Sequence, residues 1–187
     1  MLWIVIVAAV AAIALFVWLT YNRMVAKRLA TENSWSQIDV ALRRRHDLIP
    51  ALVESVRGYA GHERATFEEV AEARSTAIAA EGPASRAAAE GRLGRGTERL
   101  LGVAEAYPDL EASANFAKLQ DDLREAEDQI AITRRVYNDT VETYNTLIQI
   151  FPAVIVARAF GFDRREFFDA PAEAEATPQV SLSPGPA

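Results

Sequence analysis

The sequence contains no cysteine, only two histidines and no long alternation of apolar and polar residues. Without cysteine, a lipid-modified cysteine and any thiolate metal ligand are excluded, although the redox compartment stays open. The lack of alternation argues against β-strands, in which successive side chains point to opposite faces. The formal net charge of −6 argues against nucleic acid as a partner.

Signatures of catalysis are also missing. Neither histidine belongs to an H-E-x-x-H or Glu-x-x-His pattern, since Arg43 stands three residues before His46 and Tyr59 three before His62. We find no nucleophile elbow and no phosphate-binding loop. The acidic residues between 121 and 128 fall beside the apolar stripe of their helix, which predicts that they are solvated. We therefore predict that the protein is not an enzyme and has no catalytic, cofactor-binding or metal-ligating residue.

One polar run, RRRHDLIPALVESVRGYAGHE at residues 43–63, resembles a site but is interpreted as structural. Adjacent residues point to different parts of a helix surface, so His62 and Glu63 are not a natural pair. Both His46 and His62 are expected to be solvated or to cap a helix. Pro50 removes the hydrogen bond to the carbonyl of His46, which predicts a kinked helix rather than catalysis.

The first feature that is present is a long apolar run. Residues 2–19, LWIVIVAAVAAIALFVWL, carry no charge and span roughly 27 Å as a helix, close to the hydrocarbon thickness of a bilayer. Trp3 and Trp18 stand near its ends, as is typical of membrane interfaces. A cleaved signal would require a basic segment before the run, which begins at residue 2. We predict a membrane anchor whose partner is the lipid bilayer.

Basic residues follow the anchor and none precedes it. Arg23, Lys27, Arg28 and the triplet Arg43–Arg45 all lie on its C-terminal side. The positive-inside rule then leaves the N-terminus outside and the main domain in the cytoplasm.

Two stretches carry apolar residues at alternating steps of three and four, from 35 to 77 and from 116 to 151. This spacing places them on one face of a helix over several heptads. A weaker helix is predicted from Ala84 to Glu105, where each of four glycines costs up to about 1 kcal/mol relative to alanine. The first stretch either forms one helix or turns at Gly58–Gly61, and the pattern leaves both open.

Long helices with short joints bury their stripes by lying side by side. The predicted fold is all-α, with a transmembrane helix at 2–19, a juxtamembrane helical connector at 20–30 and an antiparallel, up-and-down four-helix bundle at 31–168. The Pro/Ala/Glu-rich tail at 169–187 is predicted to be disordered. The piece FPAVIVARAFGF at 151–162 either packs on the bundle or lies at the membrane surface, and burial in the bundle is favoured.

Arg45 falls on the first apolar stripe, where an unpaired guanidinium would be costly. We expect Asp39 or Asp47 to join it in a structural polar network that fixes helix register. The partners expected from the second helix lie on or beside its stripe: Asn138, Glu142 and Asn145.

Three blocks together resemble the LemA family of bacterial membrane proteins: WSQIDVALRRRHDLIPALVESVRGYAGHE, YPDLEASANFAKLQDDL and YNDTVETYNTLIQIFPAVIVARAFGF. The resemblance covers residues 21–168. It implies an N-terminal membrane helix, an antiparallel helical bundle and a molecular activity that is not established, with no catalytic residues to carry over. The glycine-rich GRLGRGTERLLG at 91–102 departs from the family pattern.

The expected function is a membrane-anchored helical scaffold or interaction protein of the bacterial envelope that binds an unknown protein or itself. One alternative is a metal-dependent hydrolase that uses His46 or His62 with nearby carboxylates. Another is an envelope sensor whose bundle lies outside the cell.

Overall fold

The computed structural model describes residues 1–169, which are 84% helical and contain no strand. The all-α prediction is confirmed, while the predicted disorder of the tail falls on residues outside the described part except Asp169. Six helices follow in order: α1 Leu2–Arg57, α2 Arg64–Ala79, α3 Pro83–Ala104, α4 Pro108–Glu111, α5 Ala114–Gln149 and α6 Ala153–Phe160.

Helix α1 runs through the predicted membrane span, the connector and the first bundle helix without interruption. Its 56 residues extend over roughly 84 Å. Within the described residues it is the one helix long and apolar enough to cross a membrane, and that apolar window has no buried residue. The helix ends at Arg57, and a turn at 58–63 leads into α2. The chain therefore turns at Gly58–Gly61, which answers the question that the periodicity left open.

Helices α1 and α5 lie against each other in opposite directions. Ser34 Oγ lies 2.8 Å from Thr140 Oγ1, and further along α1 an Arg44 Nη2 donates to Glu125 Oε2 at 2.8 Å. Going along α1 from Ser34 to Arg44, the contacts on α5 move from Thr140 back to Glu125, so the two helices are antiparallel. Helix α2 packs mainly on α3, and both also contact α1. The up-and-down four-helix arrangement as a whole stays a prediction.

Three apolar clusters fill the space between the helices. The largest joins the C-terminal half of α1 to α2, α3, α4 and the start of α5. A second, around Ile38 and Tyr137, lies midway along the α1–α5 pair, and a third joins α6 to Met24 and Tyr144 nearer the apolar end of α1. Burial of this kind contributes roughly 25 cal/mol per Å² of apolar surface.

One glycine of α3, Gly96, lies at the contact with α2. A β-carbon at Gly96 would lie 3.4 Å from Val70 Cγ2, so glycine allows α2 to approach α3 closely, whereas nothing lies within 4 Å of the corresponding point at Gly94. Before α3, Gly82 adopts a φ of 78°, a left-handed value that other residues rarely adopt.

Candidate functional site

The most deeply buried charges of the domain meet between α1, α3 and α5. Arg45, on α1, is 4% exposed, and Glu90, on α3, is 6% exposed. One Arg45 nitrogen donates to both carboxylate oxygens of Glu127, on α5, at 2.8 and 3.1 Å. The second terminal nitrogen donates to the Glu90 carboxylate and, at 3.3 Å, to the Glu90 backbone carbonyl, whereas the buried Nε has no hydrogen-bond partner among the described residues. A single guanidinium thus joins three helices through charge-assisted hydrogen bonds, which are stronger than neutral ones.

The neighbouring His46 extends this group. Its Nε2 donates to Glu90 Oε1 at 2.8 Å, because an ionised carboxylate only accepts. The His46 carbonyl has no helical partner, since Pro50 stands four residues on and lacks an N–H. Arg74 Nε, from α2, donates to that carbonyl at 2.8 Å. We name Arg45, His46, Arg74, Glu90 and Glu127 the polar junction; it takes residues from all four long helices.

The electrostatics of Glu90 follow from these contacts. Burial alone would raise its pKa, but the hydrogen bond from His46 and the charge of Arg45 outweigh burial, and the pKa of Glu90 lies below its ordinary value. Glu90 is therefore ionised at neutral pH.

The geometry of the polar junction suits holding helices together. Both Glu90 oxygens are already engaged by Arg45 and His46. Within residues 1–169, no three His, Cys, Asp or Glu side chains are grouped to hold a metal ion. His62 is exposed in the turn after α1 and does not converge with His46, which is buried. The expectation that His46 is solvated or caps a helix is wrong, because its pairing with Glu90 offsets burial.

A second constellation lies on α5. The amide of Asn145 donates to the Arg165 carbonyl and accepts from the Arg165 N–H, both at 2.9 Å. One heptad earlier, Asn138 accepts from the Phe168 N–H at 2.9 Å and donates to the Phe168 carbonyl at 3.3 Å. Each asparagine therefore binds the backbone of one residue at both of its polar groups.

The tyrosine before each asparagine adds a further backbone contact. Tyr144 donates its hydroxyl to the Asp163 carbonyl at 3.0 Å, and Tyr137 donates to the Glu166 carbonyl at 2.8 Å. Burial raises the pKa of both tyrosines, so these hydroxyls stay protonated donors at neutral pH. We name the two pairs, Tyr137-Asn138 and Tyr144-Asn145, the Tyr-Asn ladder.

The spacing of the Tyr-Asn ladder matches an extended chain. Seven residues of α-helix rise roughly 10.5 Å, and the three steps from residue 165 to 168 cover about 10 Å when extended. The match lets residues 163–169 lie along α5 without a helix or strand of their own. Trp35, from α1, closes over the segment, with its ring 5.7 Å from that of Phe168 and 5.3 Å from that of Tyr137.

The six residues predicted to form one network are not brought together. Arg45 binds Glu90 and Glu127, whereas Asn138 and Asn145 bind the segment at 163–169. The other three are placed elsewhere: Asp39 binds Arg86 at 2.7 Å and Arg43 at 2.5 Å, and Asp47 and Glu142 are exposed. The role of Arg45 in fixing helix register stays a prediction.

Sequence reasoning missed Glu90 and Glu127. A signal for Glu90 was present, because it stands between Ala87 and Leu93 on the buried side of α3, as Arg45 stands between Leu42 and Ile49 on α1. Opposite charges on two apolar stripes suggest a pair. Glu127 gives no comparable signal, since it lies beside the apolar stripe in a run of acids that the pattern predicts to be solvated, whereas the structure leaves it only partly exposed.

Comparison with known proteins identifies a family model and similar proteins. The sequence model of the LemA family matches residues 34–182. Magnetosome proteins MamQ 1 and MamQ 2 of Paramagnetospirillum magneticum are each 27% identical over 193 residues, which cover 89% of this chain and 71% of theirs. Magnetosome protein MamQ of Magnetospirillum gryphiswaldense is 25% identical over 174 residues, covering 79% of this chain and 64% of its own.

Proposed function

This chain belongs to the LemA family, and we propose that it is a membrane-anchored helical scaffold of the bacterial envelope that binds another protein or a second copy of itself without catalysis. The observation that carries the proposal is the continuity of α1 from the apolar run into the folded domain. A helix without a break transmits position and orientation, so the domain is presented at a fixed distance and angle from the bilayer.

In this proposal the domain at 31–168 is an up-and-down bundle, preceded by the span at 2–19 and the connector at 20–30 and followed by the tail at 169–187. The opposed directions of α1 and α5 and the packing of α2 on α3 support it. The polar junction supports it further, because it joins the four long helices at one level of the domain.

The lack of catalysis is proposed because the buried ionisable groups are used by one another. Arg45 and His46 engage both carboxylate oxygens of Glu90, and Glu127 accepts from the second terminal nitrogen of Arg45. A general acid or base needs a free position at which to meet substrate. A register or packing role is the better-attested use of such buried ionic groups.

Crosslinking within native membranes tests the scaffold role. A photo-reactive residue is placed at Ile132 on α5 or Ile78 on α2, which are 58% and 47% exposed, and at buried Leu93 as the matched control. We expect adducts to a protein or a second copy from at least one exposed position and none from Leu93. Adducts to neither at the exposed positions would contradict the scaffold role.

The proposed orientation places the domain in the cytoplasm. A cysteine at exposed Val40 is unique in this cysteine-free chain. It should react with an impermeant maleimide in inverted vesicles and stay unreactive in intact cells. Reaction in intact cells would instead place the domain outside, where a sensor would stand.

A further inference from the structure

The short helix α6 is buried on one face only. Ala153, Val156 and Ala157 pack in a cluster with Met24 of α1, and these three are at most 6% exposed. The opposite face leaves Ile155 61% exposed. The prediction that this piece packs on the bundle therefore describes half of its surface. Further apolar side chains left exposed on and beside α6 include Ile150, Phe151 and Phe160.

The height of α6 along α1 is set by its aromatic contacts. The ring of Phe160 lies 5.0 Å from that of Tyr21. Phe160 also lines an open apolar recess with Ala14, Val17 and Trp18. Ala14 stands five residues, or roughly 7.5 Å, before Leu19, the end of the proposed span. If residues 2–19 fill the hydrocarbon layer, the end of α6 lies beside its last turns.

Charge at this end differs from charge elsewhere in the protein. The chain carries a net charge of −6, yet Arg23, Lys27 and Arg28 are the charged side chains of residues 1–31, and Arg158 is the one charged residue of 143–162. The acids nearest in sequence are Glu32, Glu142 and Asp163, and Glu142 lines a recess with Arg23 and Lys27 on the side of α5. Both Arg23 and Arg158 are exposed. A basic rim around an apolar surface is the pattern of helices that lie in an anionic membrane interface.

We propose that α6 and the turn before it lie in the bilayer interface, with Phe151, Ile155 and Phe160 in contact with lipid and Arg158 at anionic headgroups. The occupant of this face is lipid because the face is continuous with the apolar span of α1 at the same height. A helix seated this way has its apolar face roughly 5–10 Å into the boundary of headgroups and acyl chains. The second contact fixes the rotation of the domain about the axis of α1, which a single span leaves free.

The inference rests on the proposed membrane anchoring, and depth-dependent quenching tests the two separately. The full chain receives one cysteine, at Ile155 or Ala159 on α6, at Val10 within the span, or at Val40 on the domain, each exposed in the structure. Each variant is labelled with an environment-sensitive fluorophore and reconstituted into phosphatidylcholine–phosphatidylglycerol vesicles. The vesicles contain nitroxide lipids labelled either near the headgroup or near the end of the acyl chain.

For labels at Ile155 and Ala159 we expect loss of emission that is greater with the shallow nitroxide than with the deep one. The label at Val10 should respond most to the deep nitroxide, and that at Val40 to neither. If Val10 is quenched while both α6 labels behave like Val40, α6 lies in water and the inference is wrong although the anchor stands. If Val10 is not quenched either, the anchoring itself fails. Self-quenching at α6 that rises with protein density, without lipid quenching, would show that a second copy covers the face and would overturn the inference.

The contribution of the Arg158 charge to interface binding is tested with a matched pair of variants. Arg158→Gln should reduce the gain in shallow quenching at Ile155 that phosphatidylglycerol produces over phosphatidylcholine alone. Arg134→Gln, at an exposed position of α5 in the domain, should leave that gain unchanged. An equal response of both variants to the anionic lipid would remove Arg158 from the interface.

Discussion

Glu90→Gln is the sharpest perturbation of the polar junction because it removes one charge and nearly no volume. In the folded domain Glu90 is 6% exposed and accepts from both Arg45 and His46. Glutamine keeps one oxygen to accept a hydrogen bond, but its amide nitrogen is a donor and takes the place of the oxygen that accepted from either Arg45 or His46. The buried guanidinium of Arg45 then keeps Glu127 alone as a counter-charge.

The expected loss of stability follows from the geometry. Removing one partner of a buried ion pair typically costs about 3–5 kcal/mol, since the remaining charge is left uncompensated. Because Glu127 holds Arg45 through two hydrogen bonds, the lower end, about 3 kcal/mol, is expected. For a chain of this size each kcal/mol shifts Tm by roughly 2–4 °C, so Tm should fall by about 6–12 °C.

The measurement is thermal unfolding of the full chain in detergent micelles, followed by circular dichroism. Glu69→Gln is the matched control, because Glu69 pairs with Arg99 between α2 and α3 at the surface, at 2.5 Å. Exposed pairs contribute at most about 1 kcal/mol, so the control should unfold within about 4 °C of wild type. If Glu90→Gln unfolds at the same temperature as the control, the polar junction does not hold the helices together.

Three further outcomes are expected. The pKa of Glu90 is lowered in the folded state, so its stabilisation is present above the ordinary glutamate pKa of about 4.3 and is lost as pH falls through that value and the folded-state pKa. The free energies of unfolding of wild type and Glu90→Gln, measured by urea titration, should therefore converge at low pH. A difference that stays constant with pH would contradict this. Asn145→Leu removes the acceptor of the Arg165 N–H, and a loss of about 1.4 kcal/mol should make hydrogen exchange at that amide roughly tenfold faster. Unchanged protection of the Arg165 amide would refute the Tyr-Asn ladder. Gly94→Ala should raise the free energy of unfolding by up to about 1 kcal/mol, because nothing lies near the added β-carbon. Gly96→Leu should lower it, because a β-carbon there already contacts Val70. Equal effects of the two variants in denaturant titrations would contradict the close packing of α2 on α3.

Local periodicity predicted the helices because the rule that produces it is local. Apolar residues three and four apart must share a helical face, so the stripes at 35–77 and 116–151 indicated buried faces wherever the helices went. The turn at Gly58–Gly61 was left open for a physical reason: the apolar pattern continues across it from α1 into α2. Only packing of α2 on α3 decides between the two, and packing is not a local property.

The sequence predicted that Arg45 needs an acceptor, but it did not predict which residues pair with it. Arg45 was expected to need an acceptor because a bare guanidinium is costly when buried, and it has two. Which carboxylates serve depends on how α3 and α5 are placed against α1, over 45 and 82 residues of chain. Asn138 and Asn145 were correctly placed on one face of the helix, one heptad apart. Their partner is a segment without periodicity, so the sequence pattern could not reveal it.

Pro50 shows how one such distant contact permits a local feature. Proline inside a helix costs roughly 3 kcal/mol, partly because the carbonyl four residues earlier loses its donor. In α1 that carbonyl belongs to His46, and Arg74 supplies the missing donor from another helix. The same residue therefore presents its side chain to α3 and its backbone to α2. Proline makes α1 depend on α2 at this point, which ties the continuity of the long apolar N-terminal helix to the assembly of the domain that it carries.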